Sequence, residues 1–362
     1  MKKTLWSHDF IIITLGTLIS AIGSTAMSFA LSLVVFDHTS STLMTGIFTA
    51  ISLMPTVLIP ILAAPLVDGC CRKRLIVMLD SGNGILYLLF AAFLLMQEFS
   101  YAGYLIFSLL TASFGAIYSL AYSSLYPDLI PKGFAQKGYS VSSLIYPSVT
   151  ALFTPVASLL YVHLGIAWIF AMEGILLLTA ALFEARIRYQ ETIGKRVFTL
   201  QKYKGDLMDG FRYLKKEKGI RSIYGYMAVT NASAEGINLV TMAMFQSSPI
   251  LTTTMYAFLT TADTIGRMAG GLMHYVLHIP AKKRYRVAVS VYAVYESLDM
   301  VFLFLPYPLM VVNRFTCGFL GINSLNIREA STQNYLPSHM RARVNALFLS
   351  LIHISEPTRR SY

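Results

Sequence analysis

The chain is short of charge. Asp, Glu, Lys and Arg make up 13% of its 362 residues, about half the roughly 25% usual in a soluble domain. That scarcity excludes a disordered chain and an ordinary soluble enzyme, whose surface needs a charged shell. Cysteine is scarce too, at three residues. Cys70 and Cys71 are adjacent and Cys317 stands alone, so neither a disulfide framework nor a zinc spacing is present. His163, His274, His278 and His339 are scattered and suggest no metal site. The chain contains no GxxxxGK[ST] loop, the element that cradles nucleotide phosphates, so it gives no sign of being powered by ATP. No cofactor is expected.

What the chain has in abundance is apolar sequence. Hydrophobic residues make up 55%, too many for the interior of a soluble fold of this length. The remaining solvent is the bilayer, where a spanning helix takes about 20 apolar residues. Such stretches lie at 10–35, 43–67, 75–97, 101–123, 140–162, 166–185, 222–245, 253–277, 287–305 and 309–328, and an eleventh begins near 344. None alternates as a barrel strand would. Backbone groups in lipid must be satisfied within the segment, so the spans are helices. The expected class is an all-α integral membrane protein with ten complete spans and a shortened eleventh. The first span is not a cleaved signal, because it lacks a small-residue cleavage site and nine more follow.

The net charge of +11 would suggest nucleic acid in a soluble protein. Its distribution says otherwise. Twenty-five of the 29 basic residues fall at the N-terminus (Lys2, Lys3), in the 2–3, 4–5, 6–7 and 8–9 connections, and after span ten. The alternate loops, near 36–42, 98–100, 163–165, 246–252 and 306–308, carry none. By the positive-inside rule the N-terminus is cytoplasmic. The charge is mostly an orientation map, and no nucleic acid is expected as a partner.

The one long polar stretch, 186–221, divides the chain. Within it LQKYKGDLMDGFRYLKKEKG places Leu200, Tyr203, Leu207, Phe211 and Leu214 at helical spacing. The segment reads either as an amphipathic helix on the anionic inner leaflet or as a solvated linker. The flanking parts resemble each other. SLYPDLIPKGFAQKGYS follows span four, and STQNYLPSHMRARVNAL follows span ten. An offset of 206 superimposes Pro131 on Pro337 and Ile130 on Leu336, and basic clusters follow spans two and eight at 72–74 and 282–286. Internal repeats of this kind are a transporter device. The expected domains are an N-terminal six-helix bundle at 1–185, a linker at 186–221 and an incomplete second bundle at 222–354. ALFLSLIHI breaks off after about nine residues, too few to cross. The following SEPTRRSY, 355–362, reads as a non-native tail on a C-terminally truncated chain.

The string APLVDGCCRKR, residues 64–74, resembles the signature of the major facilitator superfamily, G-x-L-x-D-R-x-G-R-[KR]. Leu66, Asp68, Arg72 and Lys73 match. Ala64, Gly69 and Cys71 depart from the pattern. The resemblance extends over about 1–350 and implies two six-helix bundles that open alternately to either side of the membrane. It implies for Asp68 a latch to basic residues and a helix N-terminus. Asp80, a turn inside span three, is expected beside the basic loop of the same gate. Within the superfamily, the chain looks most like drug and macrolide effluxers and siderophore exporters.

Charges inside spans are costly and face a partner or an interior. They are Glu173, Glu235, Asp263, Arg267, Glu296, Asp299 and Arg314. The resemblance implies that spans one, four, seven and ten line the cavity, helped by two, five, eight and eleven. That ranks Glu235, Asp263 and Arg314 first, as groups that bind a proton or substrate. Asp263 and Arg267 are four apart and also fit a structural pair. Arg314 fits an anion, Glu235 or Asp263 as partner. The expected function is proton-coupled efflux of a small amphipathic compound by a monomer in the cell membrane. An exporter or importer of an anionic metabolite or siderophore, and a transporter-like sensor, remain alternatives.

Overall fold

The computed structural model describes residues 4–96, 99–191, 199–277 and 279–355. Lys2, Lys3, Lys195, Arg196 and the expected tail from 356 lie outside the described residues. The described secondary structure consists of twelve α-helices and two short 3-10 turns. The helices are α1 His8–Thr39, α2 Thr42–Gly69, α3 Arg72–Met96, α4 Tyr101–Leu129, α5 Ala135–Leu164 and α6 Ile166–Glu184. They continue as α7 Leu200–Lys216, α8 Lys218–Ser247, α9 Thr253–Val276, α10 Ala281–Val301, α11 Tyr307–Tyr335 and α12 Arg341–Ser355. Most of the amphipathic segment at 200–219 forms α7, and its last two residues begin α8.

Among the described residues, seven segments are long and apolar enough to cross a membrane. They lie in α1 to α6 and at Lys282–Phe304. Ten were expected from the sequence. The helices α8, α9 and α11 have the length, at 30, 24 and 29 residues, but polar side chains dilute them. Asn313, Arg314, Asn323, Asn326 and Arg328 all fall in α11. Some of these groups bond within α11 itself, Asn323 to the Phe319 carbonyl and Arg328 to that of Ser324. The described part of α12 has 15 residues, about 22 Å of helix.

Contacts divide the chain into two compact units. The larger takes Trp6–Leu129, Leu152–Ala228 and the chain from Leu336, and the smaller takes the N-terminal segment up to Leu5, Ile130–Ala151 and Val229–Tyr335. The sequence-expected boundaries cut the chain differently, at 186–221.

In the larger unit the helices α3 and α6 cross at glycine. A Cβ on Gly84 would lie 2.9 Å from the Gly174 carbonyl oxygen, and one on Gly174 would lie 2.8 Å from that of Gly84. Small residues let backbones approach this closely, the main route to helix association where lipid is as apolar as the side chains. Beside the crossing, Phe90 stacks on Phe107 with centroids 4.3 Å apart, and Tyr87 meets Phe107 edge-on at 4.9 Å. Phe170 is fully buried in the same cluster. Such pairs add about 0.5–1.5 kcal/mol each beyond area burial.

The smaller unit packs α9 on α11. A Cβ at Gly266 or Gly270 would collide with the Phe315 or Phe319 carbonyl oxygen, and one at Gly318 with that of Asp263. Phe245, Leu259, Phe302 and Met310 form an apolar cluster in this unit.

Candidate functional site

The residues of the 64–74 motif occupy a helix break. The C-cap of α2 is Cys70, extended at φ −110° and ψ 161°, and α3 begins at Arg72. Asp68 therefore sits in the last turn of its helix, where a carboxylate opposes the helix dipole. Two kinds of positive partner offset this. Arg72, four residues on, donates from Nη2 to Asp68 Oδ1 at 3.0 Å. The first turn of α12 supplies the rest. The Ala342 N–H donates to Oδ1 at 3.0 Å, the Arg343 N–H to Oδ2 at 3.2 Å, and Arg343 Nε to Oδ2 at 3.2 Å. The first N–H groups of a helix have no partners of their own and carry partial positive charge. Asp68 caps them with a side chain that is fully buried.

The pairing extends outward. Arg341 Nη1 binds Asp128 Oδ1 at 2.9 Å and the Ser124 carbonyl at 2.9 Å. Arg72 also donates to the Ser124 and Ser338 carbonyls. Arg343 Nη1 reaches Asp206 of α7 at 3.2 Å, and Tyr203 of α7 donates to the Leu62 carbonyl at 2.6 Å. The Arg72 N–H donates to Glu191 Oε2 at 2.8 Å. Burial pushes the Glu191 carboxyl up from its ordinary value, against the opposing pull of Arg72. Lys73 turns away from Asp68 and donates to the Ile187 carbonyl. Leu66 is 45% exposed and touches none of these charges through a hydrogen bond.

Asp80 lies elsewhere. It is 4% exposed, within charge–charge reach of Glu184 and Glu173, and in no ion pair among the described residues. The expectation that it partners the basic loop is corrected here. Asp80 is two helical turns beyond Arg72, and α3 turns that face toward α6.

In the smaller unit Arg267 Nε binds Asp263 Oδ2 at 2.7 Å, with side chains 46% and 25% exposed. The two are one turn apart on α9. Arg314 does not reach them. Its Nη1 binds Asp299 Oδ1 at 3.2 Å, and its guanidinium lies 3.7 Å from the Phe302 ring centroid. Of the three partners weighed from sequence, an anion, Glu235 or Asp263, the protein partner found is none of them. Glu235 lies on α8, and its side chain is outside the described part of the structure.

A second link in this unit has the same register as the Asp68 contact. Gln136, in the first turn of α5, donates to the His274 carbonyl at 3.2 Å and the Leu277 carbonyl at 2.7 Å, and accepts from the Ile279 N–H at 3.2 Å. Ser140 Oγ and His274 Nδ1 are 2.9 Å apart. Adding 206 carries Asp68 to His274 and Gln136 to Ala342, so the repeat seen at Pro131 and Pro337 also relates these two contacts.

Sequence reasoning took Arg341 and Arg343 for orientation charges and did not connect Asp128 or Asp299 to a partner. The repeat was the available signal. It places 341–343 in register with the start of α5, and hence at the start of a helix.

Residues 13–356 match the sequence model of the Major Facilitator Superfamily. Among curated proteins none matches the chain in sequence. Solved structures share the fold. The bacterial homologue of the iron transporter ferroportin, in an outward-facing state, has a TM-score of 0.74 at 14% identity, covering 96% of this chain and 89% of that one. The E. coli fucose:proton symporter FucP has a TM-score of 0.74 at 11% identity, covering 96% and 88%. The human organic anion transporter MFSD10 (TETRAN) has a TM-score of 0.70 at 14% identity, covering 96% and 91%.

Proposed function

Because this chain belongs to the Major Facilitator Superfamily, a family of multi-pass membrane transporters and not of enzymes, we propose that it is a proton-driven exporter of a small amphipathic compound. It works as a monomer in the cell membrane with its N-terminus in the cytoplasm. Two bundles, drawn from 1–185 and 222–354, alternate between sides. The Asp68 contact to α12 holds one of the two states, and it breaks and reforms in each cycle. The basic helix α7, which exposes Met208 and Phe211, rests on the inner leaflet.

The observation that supports proton coupling is the Asp263–Arg267 pair. A partly exposed carboxylate whose one ion-pair partner among the described residues is a neighbour on its own helix can exchange that partner for a proton or a cationic substrate. Glu235 is the second coupling group by resemblance. The anionic-substrate alternative calls for a free cation in the cavity. Arg314, already bound to Asp299 and stacked on Phe302, weighs against it.

The test is transport by the full chain in proteoliposomes under an imposed proton gradient, with a panel of amphipathic cations and organic anions. Movement of the cations that collapses with an uncoupler supports the reading, and Asp263→Asn should then lose the gradient dependence. Movement of anions alone would replace it with the anionic reading. No movement of any compound by well-folded protein would leave a sensor.

A further inference from the structure

The interior of the larger unit holds three carboxyl groups with no basic side chain among them. Asp80 is on α3, and Glu173 and Glu184 are on α6. They are 4%, 3% and 0% exposed. None belongs to an ion pair among the described residues, and the groups in electrostatic contact with them include no Lys, Arg or His. The groups that face them are acidic or neutral. Asp80 and Tyr87 come from α3, and Tyr118 from α4, whose hydroxyl donates to Glu184 Oε1 at 2.7 Å. The acidic residues of α1, Asp9 and Asp37, sit near its two ends, and neither is among the groups in electrostatic contact with the three carboxyls. One oxygen of each carboxyl, Asp80 Oδ2, Glu173 Oε2 and Glu184 Oε2, has no hydrogen-bond partner.

An independent observation comes from α1. Gly16 packs against Glu184, its Cβ position 3.3 Å from Glu184 Cγ, and Gly23 packs directly on the Glu173 carboxyl. Ser20 lies one turn from each and shares their stripe, since positions 16, 20 and 23 fall on one helix face. Its hydroxyl is nine-tenths buried, at 9% exposure, and has no partner. A buried hydroxyl without a partner, on the helix face that packs against two buried carboxyls, calls for an exchangeable group to bond it.

We propose that α1, α3, α4 and α6 enclose a proton-binding site, in which Glu173, Glu184 and Asp80 carry exchangeable protons and Ser20 accepts or relays one. Ionised carboxylates without counter-charge are too costly to hold together in such an interior. A proton on a lone carboxyl oxygen removes its charge and makes it a donor, and the Ser20 hydroxyl offers an acceptor on the same helix face. A metal ion does not serve. Glu173 and Glu184 are three helical turns apart, about 16 Å of rise. Among the described residues, no three His, Cys, Asp or Glu side chains come together to hold one. The site lies inside one bundle, on helices other than those of Glu235 and Asp263. Its role as a source of transported protons rests on the proposed proton coupling, whereas the binding of protons does not.

The test is infrared difference spectroscopy of the full chain in lipid nanodiscs, titrated from below to above neutrality. The expected result is a protonated-carboxyl C=O band that persists at neutral pH. Glu184→Gln and Glu173→Gln should each remove part of it, and Ser20→Ala should shift its frequency. If Glu184→Gln does not fold, judged by size exclusion, Glu173→Gln and Asp80→Asn read the same band. Absence of the band at neutral pH, a band unchanged in the variants, or carboxylate bands that move on adding Na⁺ or Ca²⁺ would overturn the proposal. A band that titrates as expected in a protein whose transport ignores the proton gradient would keep the site and reject the coupling.

Discussion

Asp68 and Arg343 are joined twice. The Asp68 carboxylate accepts the backbone N–H of Arg343 at 3.2 Å and its guanidinium Nε at 3.2 Å. One residue thus presents both a helix N-terminus and a side-chain cation to a single buried carboxylate. The two attractions are independent in origin and additive in direction.

That double contact predicts unequal substitutions. Asp68→Asn keeps the shape but removes the fully buried counter-charge that Arg72 and Arg343 share, leaving them only the less buried Asp128 and Asp206. Removing one partner of a buried pair costs roughly 3–5 kcal/mol. Arg343→Lys keeps the charge and the helix N–H but loses the planar fork, so it should cost less. Thermal unfolding of the purified proteins in one detergent checks the order. Equal stabilities for Asp68→Asn and the parent would show that the contact is not formed.

The α3–α6 crossing predicts a sharp contrast among glycines. Gly84→Val forces a side chain into the Gly174 backbone and should destabilise by about 1–3 kcal/mol or more. Gly82→Ala meets only Phe114 at 3.6 Å, an ordinary contact, and gains about 0.5–1 kcal/mol of helix propensity. Expression yield and unfolding temperature of the pair give the comparison. A Gly84→Val protein as stable as the parent would exclude the close approach.

Arg314 and Asp299 should behave as one unit. Arg314→Gln and Asp299→Asn each strand a buried charge, whereas the double variant strands none. A double-mutant cycle should show coupling of about 0.5–3 kcal/mol. Additive losses would mean that the two are separate.

Glu191 predicts a pH dependence of stability. Its carboxyl is held above its ordinary value of 4.5, with burial the largest cause. The folded state therefore keeps a proton that the unfolded chain has already released. Its contribution is fully present below 4.5 and declines as pH rises through the folded value. Glu191→Gln retains an acceptor for the Arg72 N–H and should flatten that part of the decline. Chemical unfolding across the mildly acidic range measures it, and an identical slope in both proteins would assign the effect elsewhere.

Much of this protein was legible in its residues. Apolar runs separated by basic loops determined a helical membrane protein, because lipid leaves the backbone no other solution and charge stays out of it. The pairing of Asp68 with basic residues followed from the resemblance of the 64–74 string, and that of Asp263 with Arg267 from their spacing of one helical turn. Periodicity of 3.6 residues carries such neighbours directly. The offset of 206 was visible at two prolines and an aliphatic pair.

Only the tertiary structure decided partners distant in sequence. Arg341 and Arg343 looked like orientation charges until α12 brought them to Asp128 and Asp68, more than 200 positions away. Arg314 had three candidate partners and took Asp299, from the preceding helix. Asp80 was assigned to the loop it follows and instead joined Glu173 and Glu184, because α3 and α6 cross where two glycines meet. In each case the sequence showed that a buried ionisable group needs a partner or a proton, since the cost of a lone buried charge is local. Which partner it finds depends on which helix faces approach, and that is settled by packing among helices far apart in the chain.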